Sequence, residues 1–155
     1  MAIILVLDNI RSAYNVGSIF RTADGAGVNK IIICGYTPTP ENSKVLKTSL
    51  GAEKTVEWEY HNDIRSAIIS LKAQKFDVLA VEVAPGAKDY YKYDFKNNTA
   101  LILGNEKLGV NEEILKLCND IIMIDMNGRK TSLNVAVTAG IISYSVIRSL
   151  QENNK

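Results

Sequence analysis

The chain has 155 residues, and its 18 Lys and Arg residues nearly balance its 17 Asp and Glu residues, so the formal net charge is +1. This balance provides no bulk electrostatic attraction for a polyanion such as a nucleic acid. Hydrophobic residues make up 46% and charged residues 23% of the chain, a mixture typical of a globular protein and unlike that of a disordered or fibrous one.

The first half of the chain alternates apolar runs with helical patterns. Residues 3–7 and 31–34 are almost unbroken apolar runs rich in Ile, Val and Leu, which predict strands of a parallel sheet covered on both faces. Between them, residues 15–27 carry apolar side chains at helical spacing and end in glycines, which predicts a helix. Residues 55–60 are a weaker strand candidate, and residues 63–74 predict a second helix.

The second half continues the same alternation. Residues 78–83, 100–103 and 121–124 predict three more buried strands. Residues 111–117 predict a short helix, and residues 132–150 predict a long one. The first half of the long helix is apolar almost all round, so we expect it to be buried against more than one surface. The alternation of strands and helices predicts an α/β fold with an open, mostly parallel sheet and helices on both faces.

Length, hydropathy and cysteine usage indicate the organisation of the chain. We expect residues 1–155 to form a single domain, since domains run to roughly 100–200 residues. No apolar run approaches the roughly 20 residues that cross a bilayer. Residues 3–7 are not preceded by a basic segment or followed by a small-residue cleavage site, so we expect no signal peptide and a cytoplasmic protein. Cys34 and Cys118 lie apart from each other and from His61, the only histidine, which favours reduced thiols and no metal site.

Three polar segments follow predicted strands and resemble parts of a site. The first runs from the end of the first strand into the first helix, where ligand crevices of open α/β sheets occur. Asn15 is a candidate helix cap, and Gly17 permits close approach of another backbone. Arg21 is alternatively a solvated helix residue paired with Asp24, and Arg11 a turn residue.

The second segment begins where the predicted strand at 100–103 ends. Gly104 at that point, with no Cβ, lets a ligand ring lie against the backbone, and Asn105 and Glu106 follow it at the rim of the sheet. Gly109 lies in the same loop. The alternative is that both glycines only form turns and that Glu106 is a surface charge.

The third segment is the polar loop between the last predicted strand and the last predicted helix. Ser132 is the expected N-cap of that helix. Asn134 then lies inside an apolar helix start, where an unsatisfied amide would cost roughly 1–3 kcal/mol. We therefore expect Asn134 to have a partner in the loop or in a ligand.

Together these segments resemble the three motifs of the SpoU (TrmH-like) group of the SPOUT methyltransferase superfamily. The matching residues are 15–23 for motif one, 103–109 for motif two, and 126–128 with 132–136 for motif three. They occur in the family's order and spacing, and the similarity extends over nearly all of the chain. The resemblance implies transfer of a methyl group from S-adenosylmethionine to a ribose 2′-oxygen of RNA.

The resemblance also implies a fold and a cofactor site. Members of the family have a C-terminal trefoil knot whose loops hold the cofactor, a feature that sequence patterns do not predict. The residues implied at the cofactor by matching position are Val81, Gly104, Glu106, Gly109, Ile124, Met126, Ser132 and Leu133. Val81 is a looser assignment, because the sequence around it is not distinctive. No Gly-x-Gly-x-x-Gly pattern follows a strand, which disfavours a nicotinamide enzyme.

For catalysis, the resemblance implies a central role for Arg21, which some family members are held to use as a general base. A guanidinium pKa above about 12 makes that base role costly, and holding a phosphate or the developing alkoxide is the alternative. The resemblance implies that Asn15, Glu106, Ser132 and Asn134 orient the reacting groups. No metal is required.

RNA is the implied partner, and tRNA is favoured over rRNA. The cations within or beside the motifs, and hence the expected RNA contacts, are Arg11, Arg21, Arg129 and Lys130. Further candidate phosphate contacts are Lys44, Lys47, Lys54 and Lys107. The resemblance implies a homodimer with each active site completed across the interface, and no accessory RNA-binding domain is expected. Two alternatives are a non-catalytic RNA-binding protein of the same fold and an α/β protein that binds a small nucleotide.

Overall fold

Seven strands form one sheet in the computed structural model, which describes residues 1–155. The strands are β1 (Ala2–Asp8), β2 (Lys30–Cys34), β3 (Glu57–His61), β4 (Asp77–Val81), β5 (Lys88–Asp89), β6 (Asn98–Leu103) and β7 (Asp120–Met123). Their order across the sheet is β3-β2-β1-β6-β4-β7-β5, and every neighbouring pair is parallel. The predicted open parallel sheet is confirmed.

Four α-helices lie between strands, and a fifth follows the last strand. They are α1 (Ala13–Ala26), α2 (Ser43–Ser49), α3 (Ile64–Ala73), α4 (Glu112–Leu115) and α5 (Val135–Asn153). Short 3₁₀ turns occupy Ala52–Lys54 and Tyr90–Lys92. None of these helices is both long enough and apolar enough to cross a membrane.

The sheet separates two apolar cores, as the unbroken apolar strands predict. Alternate residues of β1 point to opposite sides, so Leu5 packs in the core formed with α1 and α5, whereas Val6 packs in the core formed with α3 and α4. Leu5 is aligned with Ile31 on β2 and with Leu101 on β6. Helices therefore cover both faces, as predicted, and β1 and β6 lie at the centre of the sheet.

The first helix begins earlier than predicted. Ser12, and not Asn15, is its N-cap, because the Ser12 hydroxyl accepts a 3.2 Å hydrogen bond from the Asn15 backbone N–H. The helix ends at Gly27, whose φ of 79° is left-handed. Gly17 does permit close approach of another backbone, because a Cβ there would overlap Thr48 and the Val45 carbonyl of α2. Sequence periodicity did not predict α2 because it has seven residues and only one buried apolar side chain, that of Val45.

The last helix begins later than predicted. Its N-cap is Asn134 and not Ser132, because the Asn134 side-chain oxygen accepts hydrogen bonds from the backbone N–H groups of Ala136 and Val137. Ser132 precedes the helix. Within a single chain only one side of α5 is buried: Val137, in the half of the helix expected to be buried on more than one side, is 51% exposed. The trefoil knot remains a prediction.

Candidate active site

A cavity of about 300 Å³ lies at the carboxyl-terminal edge of the sheet, beyond the ends of β4, β6 and β7. The segment after β4, the loop after β6, the loop after β7 and the first turns of α5 form its walls. Ligand crevices of open α/β sheets occur at this edge, because the connections after the strands meet there. The volume is at the lower end of the range for small-molecule sites.

The residues predicted at the cofactor are brought together around this cavity. Its lining includes all eight of them, namely Val81, Gly104, Glu106, Gly109, Ile124, Met126, Ser132 and Leu133. They come from three separate connections of the sheet. Apolar side chains from β4, β6 and α5 alternate in the lining with backbone and polar groups of the two long loops. A ligand with one flat apolar part and one polar part fits such a lining.

Glu106 joins this cavity to the start of α1. Its carboxylate accepts hydrogen bonds from the backbone N–H groups of Arg11, at 3.0 and 3.1 Å, and of Ser12, at 3.0 Å. The side-chain amide of Asn15 donates a third, at 3.4 Å. Partial burial by itself raises the pKa of Glu106, but these hydrogen bonds to the charged form outweigh it and lower the pKa. Glu106 is therefore ionised near neutral pH.

Asn15 also connects to the third motif. Its side-chain oxygen accepts a 3.2 Å hydrogen bond from the side-chain amide of Asn134. Asn134, the N-cap of α5, thus has the partner that its sequence position called for. The predicted catalytic residues Asn15, Glu106 and Asn134 consequently form one hydrogen-bonded chain beside the cavity, and Ser132 lines the cavity itself.

Four polar residues of the cavity wall were not predicted as site residues, and two of them, Asn105 and Glu82, make hydrogen bonds that shape the site. Asn105 is buried, and its side chain donates to the Asn9 carbonyl and to the Tyr36 hydroxyl, both at 2.9 Å. Its side-chain oxygen accepts from the backbone of Lys107 and Leu108, which shapes the motif-two loop. The sequence feature that could have identified Asn105 as a site residue is its position next to Glu106 at the end of a strand.

Glu82, immediately after β4, is the second such residue. Its carboxylate accepts hydrogen bonds from the backbone N–H groups of Val110, at 2.9 Å, and of Val83, at 3.1 Å. A Cβ at Gly109 would overlap this carboxylate, and the φ of Gly109 is +66°. Gly109 is thus required by the protein's own packing. Nothing near Glu82 in the sequence distinguishes it.

The structure gives Gly104 a role different from the predicted one. A Cβ at this position would overlap the backbone of Gly109 and Val110, where the motif-two loop folds back on the end of β6. Gly109 closes that loop by donating a 2.9 Å hydrogen bond to the Asn105 carbonyl. Gly104 lines the cavity, but it is required by this close contact within the loop.

Arg21 is the one predicted catalytic residue that lies neither in this hydrogen-bonded network nor in the cavity wall. It is exposed on α1, does not line the cavity, and its side chain makes no hydrogen bond or ion pair within the chain. The alternative pairing with Asp24 is not formed either, because Asp24 accepts a 2.7 Å hydrogen bond from the Thr55 hydroxyl. The Arg21 guanidinium is thus free to bind a group from outside the chain.

The remaining predicted cations are all exposed and form no ion pairs within the chain. They are Arg11, Arg129, Lys130, Lys44, Lys47, Lys54 and Lys107. Arg11 adjoins Glu106 through its backbone, Lys107 lines the cavity, and Arg129 and Lys130 precede the cavity-lining Thr131. Exposed cations thus lie in segments that adjoin the cavity, but its lining contains one cation, Lys107, beside two carboxylates, Glu82 and Glu106.

No cluster of three or more His, Cys, Asp or Glu side chains is arranged to hold a metal ion. Cys34 and Cys118 are both free. Burial raises the pKa of Cys34 to about 12 and that of Cys118 to about 11, so neither thiol is a ready nucleophile.

Comparison with known proteins places the chain in a family. The SpoU rRNA Methylase family model matches residues 2–144. An Escherichia coli protein named tRNA (guanosine(18)-2'-O)-methyltransferase is 30% identical over 145 residues, which are 94% of this chain but only 62% of that protein.

Solved structures show the same fold. The SpoU methyltransferase AviRb from Streptomyces viridochromogenes, in complex with the cofactor AdoMet, matches with a TM-score of 0.89 and 25% identity, over 97% of this chain and 58% of that one. A structure concerned with 2-OH methylation of C/U34 on tRNA matches with a TM-score of 0.88 and 26% identity, over 97% of both chains. The family match, the shared fold and the three motifs around one cavity establish that this chain belongs to the SpoU rRNA methylase family.

Proposed function

We propose that this protein transfers a methyl group from S-adenosylmethionine to a ribose 2′-hydroxyl of RNA, with tRNA favoured over rRNA. The observation that carries this proposal is the arrangement of the cavity. Motifs two and three line it, and Glu106 bonds to Asn15 of motif one and to Arg11 and Ser12 just before that motif. All three motifs thus meet at one place, although they are remote in the sequence.

The cavity fits the proposed cofactor. Apolar side chains such as Leu103, Ile124 and Val135 offer contacts for an adenine ring, while the loop backbone offers hydrogen-bonding groups for the ribose and amino acid parts. The eight predicted residues around the cavity would hold the cofactor. When bound, the sulfonium group supplies a methyl group that is already activated towards a nucleophile.

The chain's own residues then have to hold and activate the RNA hydroxyl. Glu106, Asn15 and Asn134 fix the rim of the cavity through their mutual hydrogen bonds, which preorganises the site. We assign Arg21 to the nearby phosphate or to the negative charge that develops on the 2′-oxygen, both of which suit its fork of N–H donors.

Arg21 does not line the cavity of its own chain, and we propose that it acts at the cavity of a second copy. Tyr14 and Arg21 are seven residues apart on α1 and therefore lie on the same face. Tyr14 is exposed, as are Val137 and Tyr144 on α5, which packs against α1. Exposed apolar side chains of this kind mark protein interfaces. We therefore propose a homodimer in which α1 and α5 form the interface and Arg21 reaches the partner's cavity.

The choice of tRNA rests on the relatives. The Escherichia coli protein is named for position 18 of tRNA, and the structure that matches over 97% of both chains concerns position 34. The family description refers to rRNA, which keeps rRNA as the alternative substrate. We propose that the protein acts in the cytoplasm, which the bacterial relative named for a tRNA substrate supports.

The test is to incubate the protein with labelled S-adenosylmethionine and separate tRNA and rRNA fractions, and then to map ribose methylation. Ser132→Tyr adds a large side chain at the exposed cavity wall, so cofactor affinity measured by calorimetry should fall at least tenfold. Ser70→Tyr, on an exposed site of α3 outside the cavity, is the matched control. Cofactor binding without label in either RNA fraction would indicate the non-catalytic alternative.

A further inference from the structure

Tyr36 lies at the rim of the cavity and has no part in the function proposed so far. It follows β2, and its side chain is 58% exposed. Its hydroxyl accepts a 2.9 Å hydrogen bond from Asn105, which lines the cavity. The hydroxyl is thus fixed to the motif-two loop, while most of the ring faces solvent.

The turn that presents Tyr36 is held from several sides. The Tyr36 backbone N–H donates to the Asn9 side-chain oxygen at 3.1 Å. The Gly35 N–H donates to the His61 carbonyl at 3.1 Å, and the Gly35 carbonyl accepts from the Tyr60 hydroxyl at 2.8 Å. Buried Thr37 donates from its hydroxyl to the Cys34 carbonyl at 2.8 Å. This turn is therefore a rigid support.

If the only role of Tyr36 were to hold Asn105 through its hydroxyl, the protein would be more stable with the ring buried, since a buried aromatic side chain removes a large apolar area from water. Here the protein fixes both the backbone and the hydroxyl of Tyr36 and still leaves the ring open to water. RNA bases stack on fixed, exposed aromatic rings, and this stacking is tolerant of base identity. The cations Arg11 and Lys107 lie in the two segments bonded to Glu106 and Asn105, respectively, where they can meet phosphates.

We propose that Tyr36 is a stacking platform for a base of the substrate RNA, next to the nucleotide whose ribose enters the cavity. This proposal rests on the proposed methyl transfer to RNA and adds an RNA contact to it. Stacking on Tyr36 contributes to RNA affinity and to placement of the target ribose. It makes no contribution to cofactor affinity, because the ring lies at the rim and does not line the cavity.

The test uses the RNA fraction that the wild-type protein labels. Tyr36→Ala is expected to weaken RNA binding roughly 5- to 100-fold, the range for loss of one base–aromatic stack, with unchanged cofactor affinity by calorimetry. The RNA affinity of Tyr36→Leu is expected to fall as far as that of Tyr36→Ala, because leucine keeps apolar bulk but has no ring. Tyr36→Phe keeps the ring and loses only the hydroxyl, so its RNA affinity should fall by less than about threefold. Tyr91→Ala, at an 80% exposed tyrosine near the opposite edge strand β5, is the matched control.

Each outcome has one meaning. Unchanged RNA affinity in both Tyr36→Ala and Tyr36→Leu would overturn the stacking role. If the RNA affinity of Tyr36→Phe falls as far as that of Tyr36→Ala, and its cofactor affinity falls as well, Tyr36 acts only by holding Asn105. If the wild-type protein labels no RNA, the proposed methyl transfer itself fails; RNA affinities are then compared on unfractionated tRNA, where equal binding by wild type and Tyr36→Ala would overturn the stacking role.

Discussion

The side-chain amide of Asn134 donates a 3.2 Å hydrogen bond to the side chain of Asn15, 119 positions earlier in the chain. Asn134 also caps α5, and Asn15 donates to Glu106. One asparagine therefore joins the start of the last helix to the start of the first. Stability and site geometry depend on different atoms of Asn134, so substitution can separate them.

Asn134→Asp keeps the capping oxygen but replaces the amide donor with a second oxygen facing Asn15. We expect the free energy of unfolding to change by less than about 0.5 kcal/mol, because Asp caps helices as well as Asn. Methyl transfer should fall at least tenfold, since the rim of the cavity loses its link to α5. Asn134→Ala removes both the cap of α5 and the bond to Asn15. It should therefore lose about 1 kcal/mol of stability as well as methyl transfer activity. As the control, Asn42→Ala removes the N-cap of α2 and should lower stability without lowering methyl transfer. Full activity in Asn134→Asp would show that the bond from Asn134 to Asn15 has no role in the reaction.

Glu106→Gln should reduce stability in a pH-dependent way. The pKa of Glu106 is lowered in the folded state, so its stabilising contribution is present above the unfolded pKa and is lost as pH falls through the folded pKa. At pH 7 we expect a loss of about 1–3 kcal/mol, because bonds to a charged acceptor are replaced by bonds to an amide.

Urea denaturation at several pH values tests this. The difference between Glu106→Gln and wild type should shrink as pH falls below about 4, where free glutamate protonates. The exposed Glu41→Gln should differ from wild type by less than about 0.5 kcal/mol throughout. A constant difference at all pH values would mean that the Glu106 charge is not the cause.

Arg21→Ala should reduce methyl transfer by at least about 100-fold, the usual effect of removing one group that stabilises developing negative charge. Its exposed side chain makes no bond within the chain, so stability should change by less than about 0.5 kcal/mol. Cofactor affinity should remain that of the wild type. Arg65→Ala, which breaks only a surface pair with Asp63 at the start of α3, is the control. Near-normal turnover of Arg21→Ala would remove Arg21 from the mechanism.

Gly17→Ala should destabilise the protein by about 1–3 kcal/mol, because the added methyl group would overlap Thr48 and the Val45 carbonyl of α2. Gly25→Ala lies on the same helix, where only the mobile hydroxyl end of Tyr144 is near the added carbon, at 3.0 Å. It should be neutral or stabilising by up to about 1 kcal/mol, since alanine favours helix over glycine. Thermal denaturation of both variants compares them directly, and equal effects would rule out close packing as the reason for Gly17.

Val137→Asp should convert the proposed homodimer into monomers, because it places a charge in the apolar interface on α5. Light scattering gives the mass, and methyl transfer should fall with the loss of the dimer, since Arg21 then lacks a partner's cavity. Ile69→Asp, at a 69% exposed position on α3, is the control and should leave the mass unchanged. A wild-type monomer with full activity would contradict the shared site.

The sequence predicted the buried strands well, because runs such as residues 31–34 and 100–103 are apolar on both faces in a covered parallel sheet. It also predicted which residues surround the cavity, through the family motifs. The predicted N-caps of α1 and α5 were both wrong, since Ser and Asn are nearly equivalent as N-caps and each helix offers one of each within a few positions. Sequence spacing could not predict Glu82 or Tyr36, because their roles come from bonds across the fold to Val110 and Asn105.

The bonds from Arg11 and Ser12 to Glu106 have a consequence for how RNA is held. The free N–H groups at a helix start ordinarily attract phosphate, assisted by the helix dipole. At α1 the protein's own carboxylate lies at this position, where it is bonded to the N–H groups of Arg11 and of the N-cap Ser12. A backbone phosphate of the RNA is thereby repelled from this end of the helix and left to the mobile guanidinium and ammonium groups around the cavity. RNA affinity should accordingly fall with salt, and the slope of log affinity against log salt concentration should grow with the number of those side chains. Removing any one of them should reduce that slope by about one.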